Sequence, residues 1–199
     1  RLLLRFILDC ERRDMLLHGS TVCNELGQSA TIIGSSGAGK TTATIGLMRA
    51  GFSLVADEYT SVTIAERKIR SFPSGITVSD QTVRFFPEIS PLLHDDCSFR
   101  DAQGAQWTVN PSSLYPMCSP DALAEPKFVF VLFPAFQNST RIELCSPGEA
   151  LWYLRGSLYP KRPPPPWART NPYEYQRSLF CLADHLVHST QVYRVFNGK

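Results

Sequence analysis

The octapeptide Gly34-Ser-Ser-Gly-Ala-Gly39-Lys40-Thr41 constrains this chain more than any other feature of it. It fits G-x-x-x-x-G-K-S/T, a spacing in which every fixed position has a physical duty. Glycines reach positive φ and admit close backbone approach, so successive N–H groups can converge on phosphate oxygens. A helix beginning at once afterwards adds its partial positive N-terminus at the same point. Lys40 supplies a mobile ammonium for the outer phosphates, and the Thr41 hydroxyl is a ligand for Mg2+. With glycine usage near 7%, chance produces the pattern in roughly one chain of this length per hundred. Context strengthens it: the apolar strand candidate Ala30–Ile33 precedes the loop, and TTATIGLMRAG follows as a helix with Ile45, Leu47 and Met48 on its apolar face and Gly51 at its end. Ser35, Ser36, Ala38 and Thr42 belong to the same cradle, which implies a nucleoside triphosphate with Mg2+.

Around this centre the sequence alternates strand and helix, which predicts an α/β fold. Leu2–Leu8 is a buried strand candidate, and Met15–Cys23 and Ser29–Ile33 flank NELGQ, whose Asn24 and Gly27 suit a hairpin turn. Phe52–Ala56 predicts a strand ending at Asp57-Glu58, with Tyr59–Ala65 continuing past it. Turn signals at Pro73, Gly75, Pro87, Pro91 and Gly104 make Arg70–Trp107 read as short strands in a meander. Lys127–Phe136 is a buried strand, Glu149–Gly156 and Glu174–Ser189 are helical, and Val192–Phe196 is a last strand. The run Tyr159–Trp167, with four consecutive prolines, enforces polyproline II and reads as a stiff surface loop over about 159–172, or else as a docking ridge or flap.

Composition narrows the class. The 199 residues are expected to form one domain. With 43% hydrophobic and 19% charged residues, disorder is excluded. Twenty Lys and Arg against 18 Asp and Glu give a net charge of +2, without the basic excess of a nucleic-acid binder. No apolar run reaches the roughly 18 residues that span a bilayer. RLLLRFILDC lacks the shape of a cleavable signal, and Arg1 implies a native start upstream. The six cysteines, none in C-x-x-C spacing, are expected as separate buried thiols of a cytoplasmic protein.

Two further positions carry chemistry. Asp57-Glu58 lies about one helix after the loop, where a phosphate-loop protein carries its Mg2+-side acid. Adjacent strand residues point to opposite faces, so one carboxylate serves the chemistry and the other ligates metal or supports the fold. His18, which ends an apolar run before Gly19, reads by spacing alone as a structural residue ahead of a catalytic one.

The run His18-Gly-Ser…Leu26-Gly…Ile33-Gly34-Ser-Ser-Gly-Ala-Gly-Lys40-Thr41…Leu47-Met-Arg-Ala-Gly51-Phe-Ser-Leu-Val-Ala-Asp57-Glu58 resembles the catalytic core of HPr kinase/phosphorylase. There a His-Gly, a short hairpin, the phosphate loop, a helix ending in Gly and a strand ending in Ala-Asp-Asp follow at matching intervals. The match covers about residues 15–62. It implies an α/β fold like that of phosphoenolpyruvate carboxykinase, with the phosphate loop set in a mixed sheet, and phosphoryl transfer from ATP to a serine hydroxyl. In this sequence Gly34, Gly37, Gly39 and Lys40 would hold the triphosphate, Thr41 would touch Mg2+, Asp57 would be the base and His18 would lie near the γ-phosphate. Two departures stand out. Glu58 replaces the family's second Asp, and the later E-I/V-R-G-x-G segment, tied to phosphorylase activity, has no counterpart. The resemblance is therefore to the shorter, kinase-only branch, some of whose members phosphorylate lasso-peptide precursors.

The function so implied is a Mg·ATP-dependent kinase with Asp57, His18 and Lys40 as catalytic residues and Thr41, Asp57 and Glu58 as metal ligands. Its partner would be a peptide or small protein bearing a Ser or Thr hydroxyl, with no nucleic acid or membrane, and a homo-oligomer by analogy. A small-molecule hydroxyl kinase and a nucleotide-sensing switch are the alternatives. A groove lined by Arg84, Arg100 or Arg141 would favour an extended or acidic acceptor.

Overall fold

Asn24 sets the first turn: its side-chain oxygen accepts the N–H groups of Leu26 (3.0 Å) and Gln28 (2.9 Å), and Gly27 follows at φ 71°. The computed structural model describes residues 14–72, 75–93, 98–101, 104–134, 139–158 and 171–198. The turn joins β1 (Asp14–Cys23) to β2 (Gln28–Gly34), and a glycine loop then leads into α1 (Lys40–Arg49). Strands β3 (Ser53–Ala56), β4 (Tyr59–Thr63), β5 (Ile69–Arg70) and β6 (Ile76–Ser79) follow, with α2 (Asp80–Phe85) directly after β6. The chain continues through β7 (Phe99–Asp101), β8 (Gly104–Val109), β9 (Leu123–Pro134), β10 (Arg141–Leu144), α3 (Pro147–Leu158), α4 (Pro172–Ser189) and β11 (Gln191–Asn197).

The main sheet runs β10-β11-β9-β2-β1-β4-β5, with β3 also on β1 and β5 pairing back onto β9. Strands β2, β1, β4, β5 and β9 therefore close into a ring. Strands β2, β9 and β11 are mutually parallel and their neighbours antiparallel, so the sheet is mixed, as expected. Strand β9 begins earlier than its apolar run predicts and takes in Pro126. Proline has no N–H to give the ladder, and the β2/β9 register shifts just there, between Ser29 and Ala30.

Strands β3 and β4 form one nearly continuous edge along β1. Val22 faces Leu54, but Thr21 faces Ala56, so β3 carries one extra residue at this point. From there the pairing runs on to His18 opposite Tyr59. Helices cover both faces of the sheet. Leu154 and Leu158 of α3 and Leu179, Leu182 and Leu186 of α4 pack on Leu17, Ile33, Val55 and Val129. On the other face Ile45 and Met48 of α1 meet Val22, Leu54, Ile76 and Val78. Capping boxes start α3 and α4: Ser146 Oγ donates to the Glu149 carboxylate (2.8 Å), and the Glu174 N–H donates to Asn171 Oδ1 (3.2 Å).

Three expectations need correction. The meander contains α2, capped by Ser79 Oγ on the Thr82 N–H, and its strands form a separate sheet of order β6-β8-β7. Strand β10 was not expected. The cysteines are not all apart: Cys23 and Cys118 bring their sulfurs to 3.0 Å. The hydrogen bond from Cys118 holds the Cys23 thiol down to about 7 and pushes that of Cys118 up. The candidate strand Leu2–Leu8, the proline run and residues 135–136 lie outside the described residues. No described helix is long and apolar enough to cross a membrane.

A buried ion pair ties the ring together. Asp14, whose side chain is 4% exposed, accepts from Ser61 Oγ (2.5 Å) and from Arg70 Nε (2.9 Å), joining β1, β4 and β5. Replacing Arg70 by Met leaves a buried carboxylate without its cation and is expected to cost about 3 kcal/mol, read from the urea midpoint.

Candidate functional site

The glycine loop lies where β2 ends, beside its parallel neighbour β9, which ends on the same side; its other neighbour, β1, is antiparallel. Gly34, Gly37 and Gly39 all have positive φ (154°, 78° and 92°). Space as well as torsion demands glycine at Gly34, and at Gly39 it adds a tight contact. A Cβ on Gly34 would meet the Leu132 carbonyl oxygen at 2.8 Å, and one on Gly39 the Asn197 side-chain nitrogen at 3.3 Å. Gly39 is the N-cap of α1; no side chain caps that helix, and no acid stands in its first turn. The positive end of α1 and its first-turn N–H groups are thus turned toward the space above the loop. Lys40 folds back, donating through Nζ to the carbonyls of Gly34 (2.9 Å) and Ser35 (3.0 Å). Beneath, the buried pair Ser20 Oγ and Thr44 Oγ1 (2.6 Å) pins the first turns of α1 to β1.

A cleft of about 810 Å3 opens over this loop, floored by Ser36–Ala43. One wall comes from β6, α2 and β8: Thr77, Ser79, Gln81, Thr82, Phe85 and Gln106. The other comes from the ends of β9 and β11 and the lead into β10: Pro134, Asn197, Gly198 and Thr140. Asn197 braces the loop from behind, its Nδ2 donating to the Ala38 carbonyl at 2.7 Å.

The sequence-expected residues fall into two groups. Ser36, Gly37, Ala38, Gly39, Lys40, Thr41 and Thr42 line the cleft, with Gly34 and Ser35 at the base of the same loop. Asp57, Glu58 and His18 are not in the lining: Asp57 and Glu58 lie where β3 passes into β4 along β1, and His18 is on β1 opposite Tyr59. The extra residue in β3 matters here, because a one-residue shift turns every following side chain to the opposite face. Extending the pairing from His18 and Tyr59 puts Asp57 opposite Ser20, on the face that carries α1. Its carboxylate accepts the N–H of Thr77 (3.3 Å), a residue of the first wall. Glu58 turns the strand with a left-handed φ of 66°, and its carbonyl takes the Gly19 N–H (3.1 Å). His18 packs on Tyr59, ring centres 5.7 Å apart. Gly19 behind it is dictated by packing: a Cβ there would meet the Ile32 carbonyl oxygen at 2.6 Å.

Among the described residues no arginine lines the cleft. Arg84 is exposed outside the lining, and Arg141 is held by Glu143 (2.9 Å) and lies over the Phe196 ring. The side chain of Arg100 lies outside the description. Among the described residues no three His, Cys, Asp or Glu come together, so a cation here would rely on one or two acids, the Thr41 hydroxyl and its own ligand's oxygens.

No family model matches this chain, and no curated protein matches it significantly. Asn197 is the loop contact that sequence reading missed. Substituting it with Leu leaves the Ala38 carbonyl unpaired; amide hydrogen exchange in residues 35–40 is expected to speed up several-fold, with global stability falling by about 1 kcal/mol.

Proposed function

We propose that the chain is a Mg·ATP-dependent phosphotransferase acting on a Ser or Thr hydroxyl of a peptide or small protein, the activity its resemblance to HPr kinase implies. One arrangement carries this reading. A glycine loop with no room for a Cβ at Gly34 and positive φ at Gly34, Gly37 and Gly39, followed by an uncapped helix and Lys40, faces a cleft whose wall is hydrogen-bonded to Asp57. The loop fits a polyphosphate, because its amides and the positive helix end are supplied without a competing acid in the first turn. The oxygen donors Thr41, Asp57 and Glu58 suit Mg2+, a hard cation. When bound, Mg·ATP supplies the transferable phosphoryl group and neutralises part of its charge.

The chain's own residues do the rest. The loop amides of Ser36–Thr42 orient the phosphates, and Lys40 leaves the Gly34 and Ser35 carbonyls to follow the charge that moves outward during transfer. Asp57, steadied by the Thr77 N–H, accepts the proton of the acceptor hydroxyl. His18 lies two residues from Ser20 on β1 and so on the same face, and it would serve the terminal phosphate.

Asp57→Asn is expected to keep nucleotide affinity while lowering transfer by about 10²–10⁴-fold. Lys40→Ala should lose both. Titration with a fluorescent nucleotide and transfer of radiolabel from γ-labelled ATP check the pair. Equal transfer by wild type and Asp57→Asn removes Asp57 from the reaction. Hydrolysis that needs no acceptor, with no labelled product, leaves a nucleotide-dependent switch instead.

A further inference from the structure

The two walls of the cleft differ in position and in chemistry. In sheet order β9 and β11 lie on one side of β2, whereas β1 and then β3 lie on the other. Asn197, at the end of β11, therefore flanks the loop on the side away from β3, while Asp57, at the end of β3, contacts the opposite wall through Thr77. A triphosphate lying along the loop has two ends, and the reacting end must be the one near the acid. The nucleoside then extends toward Thr140 and Asn197, which leaves the β6–α2–β8 wall for the group that receives the phosphoryl.

That wall has a distinct character. Its lining residues Thr77, Ser79, Gln81, Thr82 and Gln106 are polar and uncharged, and no Lys, Arg, Asp or Glu is among them. Its one aromatic, Phe85, is 59% exposed, while the adjacent Phe86 is buried at 8%. Phe85 thus presents a large exposed ring along this wall of the cleft. The polar groups beside it are turned inward: Ser79 and Thr82 bond to one another, the Thr77 hydroxyl is buried and Gln106 is 8% exposed, so the wall offers an apolar seat and nothing to offset a buried charge.

We propose that this wall is the acceptor subsite, and that it takes an uncharged peptide segment whose Ser or Thr stands next to an aromatic or large aliphatic residue seated on Phe85. The proposal rests on the kinase reading above and names its substrate class. The hydroxyl proton passes to Asp57 as the acceptor oxygen bonds to the γ-phosphorus, and the bond from that phosphorus to the β–γ bridging oxygen breaks, leaving ADP.

The test uses the full chain, γ-labelled ATP and a peptide array in which a central Ser is flanked by Phe, Leu, Gln, Glu or Lys. Wild type is expected to label the Phe- and Leu-flanked peptides most. Phe85→Ala should lower kcat/KM on those peptides about tenfold and flatten the preference, while Phe85→Tyr restores it. Because Phe85 is exposed, the fold is expected to survive, which unchanged binding of fluorescent ADP verifies. Preference for Glu- or Lys-flanked peptides, or an array profile indifferent to Phe85→Ala, overturns the subsite alone. Weakened ADP binding by Phe85→Ala also overturns it, by making this wall the nucleoside side. Nucleotide binding with no labelled peptide at all overturns the peptide class. Failure of wild type to bind nucleotide overturns the kinase reading itself.

Discussion

The pairing of β1 with the edge made by β3 and β4 governs where the chemistry-bearing side chains can be. Strand side chains alternate with a period of two, so a single extra residue exchanges inside for outside along everything that follows. Val55 faces the helices α3 and α4, and Leu54 faces α1. With the irregularity at Thr21, Asp57 falls on the α1 face, beside the cleft wall, while Ala56 stays buried. The left-handed turn at Glu58 then returns the chain to regular pairing at Tyr59. Strain at a residue type that seldom adopts such torsions is tolerated where surrounding structure fixes it, here through the ladder on both sides.

Much of this was legible because it is local. The Gly34–Thr41 spacing, the Asn24–Gly27 turn, the helix ending at Gly51 and the interrupted strand at Asp57 each depend on neighbours in sequence. Strand β9 was expected to start only at Lys127 because Glu125 and Pro126 interrupt its apolar pattern, although its first residues pair with β5 and β2. Strand β10 alternates Arg141-Ile-Glu-Leu without an apolar core face; what fixes it is β11, more than forty residues on, which no local pattern announces. Helix α2 was hidden by β-branched Thr77 and Val78 before it, yet Ser79 followed by Asp80 is a helix-start signal in plain view.

The loop's brace and the cleft walls were not legible at all. Asn197 and Ala38 are 159 positions apart, and Phe85 and Gln106 reach the same cleft from a sheet that is not part of the main one. The Cys23–Cys118 contact has the same origin, a loop returning to β3 from far along the chain: the Cys118 N–H bonds to the Leu54 carbonyl at 2.9 Å. Composition can say that thiols are present but not that two will meet.

The ring of strands has a thermodynamic corollary. Strand β2 is laddered on both flanks up to its last residues, Ile33 to Gly19 and Gly34 to Leu132, so the loop hangs from a stiff collar rather than from a hinge. Opening such a collar means breaking a whole ladder, so its rim is held in place by the sheet itself. For the anion proposed above, little chain entropy would remain to be surrendered on association, and affinity would be carried by electrostatics instead of being spent on ordering.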